Sequence, residues 1–134
     1  MTCDLSKVKE RFEKDVFATE TTGIEIVDVG ECYAKCMLYL KPKHLNAMGA
    51  VMGGVIYTLA DFAFAVAANN NALEMVSISG DIKFLTSTYG NVLYAEAKCL
   101  KKGRRNSFFD IDVTDCKGRL VAKVSIVGTK IVDN

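Results

Sequence analysis

The stretch Val55-Ile-Tyr-Thr-Leu-Ala-Asp61-Phe-Ala-Phe-Ala-Val-Ala-Ala68 decides the fold. It is apolar on all sides of a helical projection, the mark of a helix enclosed by other elements. Gly53-Gly54 opens it, and Asn69-Asn70-Asn71 closes it because Asn favours caps and turns. The run is too short to span a bilayer and carries an acid at its centre, so a buried globular helix is the reading. Asp61 is the only formally charged side chain between Lys43 and Glu74. A carboxylate among Ala, Phe, Leu and Val loses hydration, at several kcal/mol unless it is paired, hydrogen-bonded or protonated.

Upstream, Leu5, Val8, Phe12 and Val16 fall at helical spacing among charges, which predicts an amphipathic helix over about 5–17. Gly23 and Gly30 bracket Ile24-Glu-Ile-Val-Asp-Val29, and Cys32 to Leu40 alternates around Lys35, so both read as strands in a hairpin about Gly30-Glu31. Pro42, the only proline, ends the second strand because it lacks the N–H a sheet interior requires. Downstream, Met75 to Leu85, Val92 to Leu100, Ser107 to Val113 and Leu120 to Val132 alternate. Turn signals separate them at Tyr89-Gly90-Asn91, Lys101-Lys102-Gly103 and Cys116-Lys117-Gly118. No crossover helix fits between these strands, so they should be antiparallel.

The sum is an α+β domain occupying 1–134, with a short N-terminal helix and a curved antiparallel sheet of about six strands wrapped around one long buried helix. Phe109, Ile111 and Val113 alternate with Phe108, Asp110 and Asp112, so the second sheet face is partly apolar and a homo-oligomer is expected. With 17 Lys+Arg against 16 Asp+Glu, charge gives no reason to expect nucleic acid or an acidic membrane as partner. Met1 to Glu10 lacks the apolar core of a signal peptide, which points to a cytoplasmic protein. Cys3, Cys32, Cys36, Cys99 and Cys116 form no Cys-x-x-Cys pair, and His44 is the only histidine, so no metal site is expected. Cys32 and Cys36 share strand parity but lie too far apart for a disulfide, and buried free thiols in a reducing cytosol are expected.

Asp61 follows Gly54 by seven residues, close to two turns and roughly 10 Å of rise, so Gly54, Thr58, Asp61 and Ala65 lie near one helix face. Small residues there leave room for a ligand or a neighbouring chain, whereas Ile56, Leu59, Phe62 and Val66 occupy the other sides. Gly53 and Gly54 let another group approach the free N–H donors of the helix start, which favour developing negative charge. A carbonyl lodged there is polarised, and a carboxylate can deliver water to it or attack it directly. Asp61 stands two turns down its own helix, so the two parts are expected to come from different subunits.

The segment His44-Leu-Asn46-Ala-Met-Gly-Ala-Val-Met52-Gly53-Gly54-Val-Ile-Tyr-Thr-Leu-Ala-Asp61-Phe-Ala resembles the signature of hotdog-fold acyl-CoA thioesterases of the phenylacetic-acid-degradation type. In that signature an Asn, a Gly, a His-Gly-Gly and then Leu-Ala-Asp recur at these spacings. The similarity continues through Ile82-Lys-Phe-Leu85, Lys102-Gly-Arg-Arg105 and Asp115-Cys-Lys-Gly-Arg-Leu-Val-Ala122, and so covers most of the chain. It implies a hotdog fold, a tight homodimer with two sheets joined edge to edge, often paired again into a homotetramer, and active sites at the dimer interface. It also implies hydrolysis of acyl-CoA without a metal or tightly bound cofactor, coenzyme A being part of the substrate.

Asp61 matches the family's catalytic carboxylate, a general base or a nucleophile. Asn46 matches the loop Asn that positions the thioester or water, and Gly53 the glycine whose N–H polarises the carbonyl; both would face Asp61 of the partner subunit. Gly54 and Thr58 would border the substrate on the open face. Ser77 matches a water-orienting hydroxyl, with Ser79 on the same strand face as its substitute if the alignment slips by two. Met52 departs from the family by standing where a His precedes Gly-Gly, beside the substrate, and Thr86-Ser87 replaces a basic-Pro pair.

The Lys101-Lys102-Gly103-Arg104-Arg105 cluster is too short and isolated for nucleic-acid binding; in an acyl-CoA enzyme Arg104 and Arg105 would meet the nucleotide phosphates. His44 has no carboxylate or cysteine at a telling spacing and reads as a surface or loop histidine. Two other functions share the fold. A hydratase or dehydratase would need a catalytic His paired with an acid, and a non-catalytic acyl-CoA or fatty-acid binding protein would fit the loss of the His at Met52.

Overall fold

The computed structural model describes residues 4–131, and Cys3 lies outside them. Helix α1 (Leu5–Arg11) leads through a wide helical turn (Phe17–Thr22) into strands β1 (Glu25–Gly30) and β2 (Tyr33–Tyr39). A tight turn (Pro42–His44) and a loop precede helix α2 (Gly53–Asn69). Four strands follow: β3 (Met75–Phe84), β4 (Val92–Lys102), β5 (Asn106–Asp115) and β6 (Leu120–Lys130). All six strands form one antiparallel sheet in the order β1-β2-β4-β5-β6-β3.

Alternation fixes which face of the sheet meets α2. Ala34, Cys36 and Leu38 on β2, Leu93, Ala95 and Ala97 on β4, Ile111 and Val113 on β5, and Ala122, Val124 and Ile126 on β6 are all inaccessible to solvent. Leu59, Ala60, Ala63 and Val66 of α2 are equally buried against them. The alanines let strand and helix backbones approach, and Phe64 meets Phe109 edge-on with ring centroids 5.1 Å apart. This is the helix-in-sheet arrangement the resemblance implies.

Enclosure of α2 is not complete. Thr58, Asp61 and Ala65 are half-buried and Gly54 is exposed, so the small-residue face forms an open stripe. That stripe lies beside β3, an edge strand that pairs with β6 and with no other strand among the described residues. Val76, Ile78 and Phe84 on it are 48%, 58% and 55% exposed, an unusually long apolar edge to leave unpaired.

A bulge in β3 changes one expectation. Ser77 pairs with Gly128 while Ser79 pairs with Val127, so Ile78 is the extra residue. Residues directly opposite in an antiparallel pair share a face. Gly128 is on the core side with Ile126, so Ser77 turns towards α2 and Ser79 towards the outer face. The shared face expected from plain alternation is lost.

Other expectations are corrected. The N-terminal helix ends at Arg11, not near 17: Val8 and Phe12 are buried and Leu5 is half-buried, whereas Val16 is 49% exposed. The chain turns there because the Ala18 carbonyl must accept from both Gly23 N–H and Ile24 N–H at 3.2 and 2.9 Å to start β1. His44 is no surface residue. It is 3% exposed, its Nδ1 accepting from the Lys41 N–H at 2.9 Å and its Nε2 facing the Thr22 carbonyl at 2.8 Å, which sets the neutral Nε2–H form. Among the described cysteines only Cys36 is fully buried, its thiol pushed up to about 12 by burial; Cys32 and Cys99 are half-buried and Cys116 is exposed. Among the described residues no helix is long and apolar enough to cross a membrane.

Candidate active site

Helix α2 begins without a side-chain cap: Met52 sits at the N-cap in extended conformation and its side chain, 54% exposed, accepts nothing. The Met52 N–H donates to the His44 carbonyl at 2.9 Å, and the Val55 and Ile56 N–H groups return to the Met52 carbonyl at 3.0 and 3.3 Å. The N–H groups of Gly53 and Gly54 have no partner among the described residues. Phe84 presses on this helix start, so that a Cβ at Gly53 would lie 3.0 Å from its Cζ. Only glycine fits there without displacing the ring.

The preceding loop is held by a Leu45–Val51 bridge and by Asn46. Its Oδ1 accepts from the N–H groups of Met48 and Ala50 at 2.9 and 3.1 Å, and its own N–H donates to the Ala50 carbonyl at 2.7 Å. The side-chain oxygen therefore builds the loop, which leaves the Nδ2 donor open. Loop, helix start and the segment after β3 enclose a mainly apolar cleft of about 880 Å³, lined by Leu45, Ala50, Gly53, Ile56, Phe84 and Thr88 among others. Its outer rim is fixed by the buried Asp115, which accepts from the N–H groups of Tyr89, Lys117 and Arg119 and from the Arg119 guanidinium. Burial alone would raise this carboxyl; those hydrogen bonds overcome it and hold the pKa at about 2.

Asp61 is absent from the cleft wall. Eight residues beyond Gly53 on the same helix, it stands about 12 Å along the axis. Its carboxylate accepts no hydrogen bond among the described residues. Burial first, and then the charge of Asp15, raise its pKa above the ordinary carboxylate value. Asp15 reaches this place because Phe12, just before it, packs edge-on against Phe62, the neighbour of Asp61, at 5.7 Å. No local pattern marks Asp15 in the sequence.

Thr58 commits its hydroxyl to the Gly54 carbonyl at 2.7 Å. Ser77 falls on the α2 side of β3, between the Gly80 contact with Tyr57 and the Met75 contact near Phe64, and therefore beside the stretch of α2 that carries Asp61. Ser79 faces away. Arg104 and Arg105 sit on the β4–β5 hairpin, at the end where Ala68 and Asn70 approach Lys102, opposite to Gly53 in the same chain. One chain thus assembles Asn46, Met52, Gly53 and Gly54 at one place and Thr58, Asp61 and Ser77 at another. Among the described residues no group of three or more potential metal ligands occurs.

The family model described as the thioesterase superfamily matches residues 48–122, which contain the helix start, Asp61 and strands β3 to β5. The chain belongs to the thioesterase superfamily. It is 30% identical over 112 residues to the acyl-coenzyme A thioesterase PaaI of Escherichia coli, an alignment covering 83% of this chain and 79% of that one. The structure of the E. coli PaaI protein superposes with a TM-score of 0.84, at 24% identity, across 98% of this chain and 99% of that chain. The structure of a hypothetical thioesterase protein with coenzyme A from Streptococcus pneumoniae superposes with a TM-score of 0.83 at 21% identity over 92% and 98% of the two chains. The thioesterase therefore has the hotdog fold, and hydrolysis of a thioester is its family chemistry.

Proposed function

We propose that this thioesterase hydrolyses acyl-CoA to free acid and coenzyme A at sites shared by two subunits of a cytoplasmic homodimer, itself able to pair into a tetramer. The carrying observation is a separation: an apolar cleft with unpartnered Gly53 and Gly54 N–H groups, and an unpartnered carboxylate about 12 Å away on the open stripe beside an unpaired sheet edge. Joining two β3 strands antiparallel satisfies both edges and covers Val76, Ile78 and Phe84. The same operation reverses the direction of α2, so the helix start of one subunit is carried towards Asp61 of its partner.

In this arrangement the thioester carbonyl oxygen accepts from the Gly53 N–H, with the Asn46 Nδ2 as a second donor. Asp61 of the other subunit removes a proton from water as the water oxygen bonds to the carbonyl carbon. The tetrahedral oxyanion collapses, the C–S bond breaks, and coenzyme A leaves as the thiolate and takes up a proton. Ser77 orients the water from β3, and Gly54, Thr58 and Met52 border the acyl group. Reversal of the subunits also carries the Arg104-Arg105 hairpin of one chain towards the cleft of the other, where the guanidinium groups meet the nucleotide phosphates. The reaction needs no resident metal or cofactor. A hydratase reading loses its base, because both ring nitrogens of the buried His44 are committed.

A panel of aryl, short-chain and long-chain acyl-CoAs read by thiol release tests the proposal. Turnover that falls by roughly 10²- to 10⁴-fold in Asp61→Ala supports it. Absence of thiol release from every substrate, or full activity in Asp61→Ala, would defeat it.

A further inference from the structure

Tyr57 stands one turn before Asp61 on α2, at the spacing that puts two side chains on one helix face. Its ring crosses from the helix to β3, where Oη occupies the space a side chain at Gly80 would require and Cζ would lie 3.1 Å from an added Cβ. Gly80 pairs with Ile126, which is buried in the core, so the missing side chain is on the α2 side of the strand. The phenol is thereby held between helix and sheet edge, along the stripe that carries Asp61.

Two polar groups there lack partners. Tyr57 Oη donates to nothing among the described residues, and the Asp61 carboxylate accepts from nothing. A half-buried donor without an acceptor next to a half-buried acceptor without a donor is costly unless something joins them. Charges around the pair are few: Asp15, from the connection after α1, acts on Asp61, while Asp81 and Lys83 of β3 pair with Ser125 and Lys123 and point to the outer face.

We propose that Tyr57 is a positioning residue for the reaction, the hydrogen-bond donor that orients the Asp61 carboxylate and the water it activates. The inference rests on the hydrolytic role proposed for Asp61. The phenol donates to one oxygen of the Asp61 carboxylate, the other carboxylate oxygen accepts a water proton, and a lone pair of that water is free to attack. Tyr57 keeps its own proton throughout: burial, and then the Asp61 charge, push its ionisation above the ordinary phenol value.

Tyr57→Phe keeps the ring over Gly80 and removes only the hydroxyl. The expected result is a kcat reduced roughly 10- to 100-fold with KM changed less than about two-fold. The acid limb of the kcat/KM profile should also move to higher pH, because the ionised carboxylate has lost a donor. Unchanged kcat and an unchanged acid limb would overturn the assignment. Wild type and Asp61→Ala in the same assay separate the two hypotheses, since loss of the hydrolytic reading shows as a wild type that releases no thiol. In that event NMR titration of the Asp61 carboxyl carbon still decides for Tyr57: an upward shift in Tyr57→Phe supports the coupling, and identical titrations in the two proteins refute it.

Discussion

Tyr57 and Gly80 are interlocked: the phenol oxygen of one fills the volume where the other would carry a side chain. Helix α2 and the edge strand β3 are thus registered against each other at the middle of the strand. Asp61 lies one helical turn after Tyr57, and Ser77 lies on the other side of the bulge from Gly80.

Gly80→Ala should therefore destabilise the protein by about 1–3 kcal/mol through overpacking. The cost should shrink when Tyr57→Phe is combined with it, because the nearest remaining ring atom would lie 3.1 Å from the new Cβ. Denaturant unfolding of the two single variants and the double variant measures the coupling. Additive effects would show that the two residues do not meet.

Asp15 should set the working pH. Its negative charge helps to raise the Asp61 pKa, so Asp15→Asn should lower that pKa and move the acid limb of kcat/KM to lower pH. A limb that stays in place, or moves upward, would contradict this electrostatic contact.

Asp61 should cost stability in exchange for reactivity. Because its folded-state pKa is raised, the carboxyl is at its most favourable in the folded chain below the unfolded value of about 3.9, and the advantage is lost as pH rises through the folded value. Asp61→Asn should thus melt at a higher temperature than wild type at neutral pH, with the gap closing towards pH ~4. Thermal melts across that range, run at fixed protein concentration because a dimer is expected, check the sign.

Asp115 should behave in the opposite sense. Its pKa is depressed to about 2, so its stabilising effect is present above the unfolded value of about 3.9 and disappears as pH falls through the folded value. Asp115→Asn should lower the melting temperature at neutral pH and match wild type near pH 2. It should also weaken substrate binding, because the Arg119 guanidinium that it holds donates to the Ser87 carbonyl at 3.0 Å on the cleft wall.

Much of this was legible without coordinates. Period-two alternation and turn residues mark all six strands, since the pattern needed to bury one sheet face is local to each strand. The apolar run and its lone carboxylate mark α2 and Asp61, because burying a charge is conspicuous in any sequence. Gly53-Gly54 is visible as an uncapped helix start.

Tertiary structure alone decided the rest. Whether Ser77 or Ser79 faces α2 depends on a bulge at Ile78, which adds one residue to a strand without disturbing its apolar composition. His44 becomes a buried anchor only because the Thr22 turn is folded over it. Asp15 and Tyr57 gain their meaning from Phe62 and Gly80, partners brought near by helix packing and sheet order and by no spacing along the chain. Periodicity reports which face of an element is buried; which residues of two elements then touch is set by how those elements cross and register, and that is a property of the folded chain.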